Sequence, residues 1–250
     1  MKKTFIFLLA VLLFGCATNS GNNRAVTQDT GIIYKDYNYE NTIYETHKIR
    51  FEFHLENIKY SQSTAALIEK LIYQNKDFDD YAVYLENKFI DTYVSGFYPP
   101  VYYDDGTLYY YESCLVENYY FEYHDEEYII IYYNYYFYTS GTAHGNYGFL
   151  YYIIDIAAEK ILTINDLISP VPDSVLIELI REEYEVNYFL RDHIWPPDTI
   201  NLSKEGASLS WNIYTITPYV TGFVYINLPD ENKYLTEKGR VILSRVRGGN

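Results

Sequence analysis

The chain has 250 residues, 33 of them tyrosine, and a formal charge of −15 from 19 basic and 34 acidic side chains. That balance excludes nucleic acid and anionic lipid headgroups as good partners for the folded part; a basic protein or other cationic ligand is the better electrostatic match. Two cysteines, Cys16 and Cys114, are too few for a disulfide framework, and the length suits one large domain or two closely packed subdomains.

The chain opens MKKTFIFLLAVLLFGC. Lys2 and Lys3 precede an apolar run from Phe5 to Phe14. As a helix that run is about 15 Å long, too short for a hydrocarbon core of ~30 Å. It has the pattern of a secretion signal over residues 1–15. Leu13, Gly15 and Cys16 resemble a lipoprotein processing site. That resemblance implies a lipidated Cys16 and attachment to a membrane of the bacterial envelope, facing the periplasm or exterior. The alternative is an ordinary cleavage site that Cys16 merely adjoins. Loss of Lys2 and Lys3 with the signal moves the charge from −15 to −17. A lipidated Cys16 leaves Cys114 without a disulfide partner, and its alternating aromatic surroundings fit a small buried hydrophobe. Residues 16–31 are polar and aperiodic, the composition of a tether.

The segment YETHKIRFEFHLENIKY alternates, with Ile49, Phe51, Phe53 and Leu55 on one face of a strand and Arg50, Glu52 and His54 on the other. Two helices should follow. The first carries Leu67, Ile68, Leu71 and Ile72, capped by Ser61 or Ser63; the second carries Tyr81, Leu85, Phe89 and Tyr93 and stops near Gly96. Asp104-Asp105-Gly106 marks a turn, and LYYYESCLVENYYFEY a long strand with room for a bulge. His124 to Glu127 is the predicted hairpin loop before YIIIYYNYYFY, and FLYYIIDI makes a third strand. A helix is expected after Pro172 and Asp173, on Val175, Leu176, Leu179 and Ile180. Trp195 to Gly206 reads as loop, followed by strands in LSWNIYTI and FVYINL and a helix around Lys233 to Leu243. The pattern is α+β: antiparallel sheets with helices packed against them, divided into an N-terminal part, 32–103, and a C-terminal part, 104–250.

The strongest chemical signal is Tyr138-Thr139-Ser140-Gly141-Thr142-Ala143-His144-Gly145-Asn146-Tyr147-Gly148 between two apolar strands. Its glycines allow backbone shapes closed to other residues, and His144 can bind a ligand, act as a base or staple the loop. The histidines at 47, 54, 124, 144 and 193 show no metal-ligand spacing, and no dinucleotide or phosphate loop occurs, so neither metal nor cofactor is expected. The acid pairs Asp79-Asp80, Asp104-Asp105 and Glu126-Glu127 fit solvated edges, with Asp79 a helix cap.

Residues 137–168, FYTSGTAHGNYGFLYYIIDIAAEKILTINDLI, resemble the core segment of the RsiV-like extracellular domain family. In that family a tyrosine-rich strand enters a Gly-Ala-His loop and leads to a strand and a Lys-x-Leu-Thr-x-x-Asp-Leu helix entry. A second marker is similar to residues 212–229 through Tyr214, Pro218, Tyr219 and Gly222. Residues 42–98 resemble the domain that precedes it there and in some polysaccharide deacetylases. Thr142 departs from the family's paired glycines. The family includes the lysozyme-binding outer domain of an anti-sigma factor; the sequence here has no anti-sigma segment and no internal transmembrane stretch. The resemblance and the composition together imply an envelope-anchored, non-catalytic binding module for a basic protein such as lysozyme. Gly141, His144, Gly145, Asn146, Tyr147, Tyr214 and Tyr219 are its candidate binding or loop-stapling residues. A cell-wall glycan as ligand, or a hydrolase using His144, are the alternatives.

Overall fold

In the computed structural model the described residues are 32–43, 47–58, 62–94, 101–109, 111–140, 142–184, 194–213, 215–216, 222–229 and 231–248. Residues 1–31, with the expected signal, Cys16 and the expected tether, lie outside them, as do Gly141, Tyr214, Pro218 and Tyr219. The frame is a six-stranded sheet whose members are β1 (Ile32–Ile43), β2 (His47–Ile58), β5 (Tyr111–His124), β6 (Tyr128–Thr139), β7 (Asn146–Asp155) and β8 (Lys160–Ile161), neighbours in that order. Between β2 and β5 the chain forms α1 (Gln62–Leu71), α2 (Phe78–Phe89), a π-helical turn at Ile90–Val94, and the small hairpin β3 (Val101–Tyr102) and β4 (Leu108–Tyr109). All pairings in the large sheet are antiparallel except β2 with β5, which is parallel. Parallel neighbours need a long crossover, and the two helices supply it. Segments on both sides of residue 103 therefore share one sheet.

The helices cover one face of this sheet. Asp77 caps α2, its Oδ1 accepting from Asp80 N at 2.8 Å; Asp79 lies in the first turn and is not the cap the sequence pointed to. Tyr81, Leu85 and Phe89, spaced by four, turn inward with Ala82. Tyr81, Ala82 and Leu85 meet Leu67, Ile68 and Ile72 of the α1 region and Tyr119, Ile129, Ile131 and Ile154 of the sheet in a single cluster, while Phe89 packs apart from it against Tyr39, Leu115 and Phe137.

The other face is covered at one end by the C-terminal part. This comprises α3 (Ile164–Leu167), α4 (Asp173–Tyr184), a three-stranded antiparallel sheet of β9 (Thr199–Ser203), β10 (Gly206–Trp211) and β11 (Val224–Asn227), then α5 (Glu231–Tyr234) and α6 (Glu237–Gly248). Tyr128, Ile130 and Ile153 of the large sheet join Ile180, Leu209, Trp211, Ile226 and Ile242 in an aliphatic core. Coverage on both faces is why Tyr128–Ile131 is buried without alternation. At Phe121 to Tyr123 a bulge in β5 shifts the register. It turns Tyr123 to the C-terminal core, while Phe121 packs under the helices.

Several sequence readings change here. Ile32–Ile43, left unassigned before the first predicted strand, is itself a full strand. Trp195 to Gly206 is not simply loop, because Thr199–Ser203 pairs with β10. The terminal helix is two helices separated by Leu235 and Thr236. The acids of the β5–β6 turn do more than solvate it. Asp125 Oδ1 accepts from the backbone of Glu127 and Tyr128 at 2.7 Å each, and Arg245 of α6 pairs with Asp125 at 3.1 Å and with Glu127.

The Lys-x-Leu-Thr-x-x-Asp-Leu entry is a capping box at α3. Thr163 Oγ1 and the Asp166 carboxylate exchange hydrogen bonds with each other's backbone N–H, and Leu167 is buried behind them. Backbone and side-chain bonds from Thr163, with Lys160 at 3.0 Å, hold the Asp166 carboxyl down at about 2. Gly239 of α6 lies directly against Leu167 O, where any Cβ would collide. A histidine-free motif is thus conspicuous for architectural reasons.

Candidate functional site

Where the C-terminal part stops, the second face of the large sheet is half-exposed among the described residues. Register places Asn38 and Glu40 of β1 beside Arg50, Glu52 and His54 of β2. Across the parallel pairing stand Cys114, Val116 and Asn118. Tyr120 and Tyr132, Asn134, Tyr136 and Tyr138 of β6 continue the face. Its centre is polar: Asn118 Nδ2 donates to Asn134 Oδ1 at 2.9 Å. Tyrosines flank it, Tyr120 and Tyr132 stacked at 6.1 Å between ring centroids, with Tyr120 37% and Tyr136 42% exposed. Glu52 bonds Arg50 and approaches His54 Nε2 at 3.4 Å, and the bond to His54, with Arg50's help, holds its carboxyl below the usual range. At the bulge, burial and the nearby Glu205 carboxylate push the Glu122 carboxyl up. Among its described residues the face offers half-exposed rings, amides and an excess of acid.

The loop after β6 borders this face, and its glycines have a different reason from the one their sequence implied. Neither Gly145 nor Gly148 is among the positive-φ residues. A Cβ on Gly145 would meet the Tyr136 ring at 2.5 Å, and one on Gly148 the Tyr135 ring at 2.6 Å. Each glycine is a seat for a cross-strand tyrosine, so ring packing excludes a side chain there. Hydroxyls fasten the strand ends: Ser113 Oγ and Thr139 Oγ1 are 2.8 Å apart, and Thr142 Oγ1 donates to Thr139 O at 2.7 Å. His144 is exposed, with Nδ1 3.0 Å from Gly145 O.

The two segments quoted from the sequence do meet. Tyr147 and Phe149 each place an edge against Phe223, at 4.9 and 4.8 Å between centroids. Asn212 accepts from Phe149 N at 2.9 Å and donates to Phe149 O at 3.2 Å, while Thr199 Oγ1 accepts from Tyr151 N at 2.8 Å. These side chains take the place of a neighbouring strand along the bare edge of β7. Asn146 and Tyr147 belong to β7 itself. Among the described residues, no group of three His, Cys, Asp or Glu side chains converges as a metal site.

Sequence reading missed a polar cluster on the helix-covered face. Glu117 of β5 is buried, with Tyr119 Oη 3.5 Å from Oε2 and Tyr133 also donating to it. Burial outweighs those hydroxyls and pushes the carboxyl up to about 7. Nearby, Tyr37 Oη donates to buried Glu86. Burial and these carboxylates drive the Tyr37 and Tyr133 phenols well above their ordinary value. A Glu two residues before a Tyr in an alternating strand carries the signal, since both must share a face.

No family model matches the chain, and no curated protein matches it. Solved structures do. A DUF3298 family member from Bacteroides fragilis superposes with a TM-score of 0.57 at 16% identity, covering 91% of this chain and 100% of its own. A DUF3298 family protein from Pseudomonas aeruginosa gives 0.50 at 15% identity, covering 82% and 94%. The fold is similar to that of bacterial DUF3298 proteins. In this DUF3298-like fold the described ends of the second marker segment, Asn212 and Phe223, meet Tyr147 and Phe149 of the first where the two sheets join. Among the described residues no helix is long and apolar enough to cross a membrane.

Proposed function

We propose that this chain is a lipid-anchored envelope protein, held through Cys16, whose folded part is an RsiV-like binding module for a basic protein of the lysozyme type. The half-exposed second face of the large sheet is its docking surface. The observation that carries this reading is the composition of that face. Tyr120, Tyr132 and Tyr136 offer large areas at low entropic cost around the Asn118–Asn134 pair. By register Asp36, Glu40, Glu52 and Glu112, with Glu122 at the bulge, outnumber Lys48 and Arg50 on this face. The Glu205 carboxylate adds to the cost of ionising Glu122, which an approaching cation relieves. The formal charge of −15 adds long-range attraction for a basic partner. Tyrosine anchors with acidic surroundings are the arrangement that binds by contact and steers by charge.

The test is retention of lysozyme, and of other basic secreted proteins, on the immobilised chain. Binding should weaken on raising salt from 50 to 500 mM, because Glu40, Glu112 and Glu122 are exposed. Tyr120→Ala should weaken it by about tenfold while changing stability by no more than about 0.5 kcal/mol. If no basic protein is retained, or if Tyr120→Ala binds like the parent, the reading fails.

A further inference from the structure

The small sheet carries a second feature that the half-exposed face does not explain. Asn201, Ser208 and Asn227 share one register row, and Thr199, Ser210 and Tyr225 the next, all on the same face. The opposite face holds Ile200, Leu202, Leu209, Trp211, Val224 and Ile226 in the aliphatic core. A polar face turned from the core is ordinarily wet. Here its β9 and β10 portion is sealed: Asn201 is 8%, Ser208 2% and Ser210 1% exposed. Towards β11 the row opens, with Tyr225 at 36% and Asn227 exposed.

Thr199 is satisfied by the Tyr151 amide. Its neighbours are not. Asn201 Oδ1, Ser208 Oγ and Ser210 Oγ have no hydrogen-bond partner, and they are the buried side-chain atoms so left among the described residues. Folded proteins keep few such atoms, and each normally meets ordered water or a ligand. Their placement in two adjacent register rows points to a shared occupant.

We infer that this row is a binding site for a neutral, hydroxyl-bearing ligand, the edge of a sugar ring, entering from the β11 side. An amide oxygen needs a donor, and serine hydroxyls rotate to give or accept, so a hydroxyl-rich edge satisfies all three atoms at once. No charged side chain occupies either row, and Glu205 beyond the end of β9 disfavours an anion. Tyr225 at the open end supplies an aromatic surface with a polar tip. The site is on a different sheet from the protein-docking face, which it adjoins where Tyr151 lies close to both Tyr132 and Tyr225. A chain can hold both.

The experiment titrates the full chain in detergent with N-acetylglucosamine, glucose and glycerol, following the Asn201 side-chain amide and the Ser208 and Ser210 backbone amides by NMR. At least one sugar should give a saturable shift of all three. In the double variant Ser208→Ala/Ser210→Ala the apparent affinity should drop by about tenfold or more, as two hydrogen bonds are lost. That variant removes only unpaired oxygens, so its melting temperature should be no lower than the parent's. No saturable shift with any probe, with a crystal structure showing ordered water only on these atoms, overturns the inference. A shift that the double variant leaves intact overturns it as well.

Discussion

The two faces of the large sheet are both rich in tyrosine and do opposite things with it. Under α1 and α2, Tyr81 and Tyr119 are buried with Glu117 and Glu86, Tyr133 is partly buried beside them, and their hydroxyls are committed to internal partners. On the other side Tyr120 and Tyr136 are exposed and Tyr132, stacked on Tyr120, is half-buried. Tyrosine is therefore not a marker of surface or core in this chain. Its phenol serves as a buried hydrogen-bonding hydrophobe on one side and a half-exposed ring on the other, and only what packs above each face separates the two settings.

The sharpest way to break this contrast is through the aliphatic core that closes one end of the second face. Trp211 is fully buried, with Nε1 donating to Trp195 O at 2.8 Å. Trp211→Ala should cost about 3–5 kcal/mol in urea unfolding, the usual range for a buried aromatic truncation. A cost below about 1 kcal/mol would show that the C-terminal part does not hold this face.

Glu117 sharpens the description of the helix-covered face. Its carboxyl rises from 4.5 to about 7 in the fold. Below pH 4.5 both folded and unfolded chains hold the proton, and its stabilising contribution is complete. Between 4.5 and 7 the unfolded chain releases it first, so stability falls as pH rises, by up to about 3 kcal/mol. Glu117→Gln should flatten that fall when melting is followed from pH 4 to pH 8. Parent and variant with the same pH dependence would mean the carboxyl is hydrated.

A smaller effect concerns the border between the faces. Gly148→Ala should cost about 1–3 kcal/mol, because the Tyr135 ring must leave its seat. Most of that loss should disappear in the Tyr135→Ala background. An undiminished cost in the double variant would assign the glycine a backbone role instead.

How much of this was legible depended on whether the signal was local. The alternation of Arg50, Glu52 and His54, the apolar spacing of Tyr81, Leu85 and Phe89, and the turn at Asp104 to Gly106 each follow from neighbours in sequence. Ile32–Ile43 was passed over because its tyrosines alternate with charged and amide residues rather than with a clean apolar face. Thr199–Ser203 was passed over because Pro196, Pro197 and Gly206 bracket it with loop chemistry. The parallel join of β2 to β5 was invisible, since crossover topology leaves no local trace. At the site, Asn146 and Tyr147 were singled out and are strand residues, while Asn118, Asn134 and Tyr120 on the half-exposed face were not. Nothing in an alternating strand says which of its two faces will be covered.

The sequence by itself determined a strand-rich α+β chain, an acidic charge and the tyrosine supply, because period, composition and turn chemistry are properties of short segments. Its own leader pattern is likewise local. Only the tertiary structure decided that one tyrosine face is covered and the other half-exposed, that Gly145 and Gly148 seat rings, and that Glu117 is raised to about 7 while Asn201, Ser208 and Ser210 are left unpaired. Those outcomes come from segments far apart in the chain meeting across a sheet, where burial and partner geometry set the energy of every polar group.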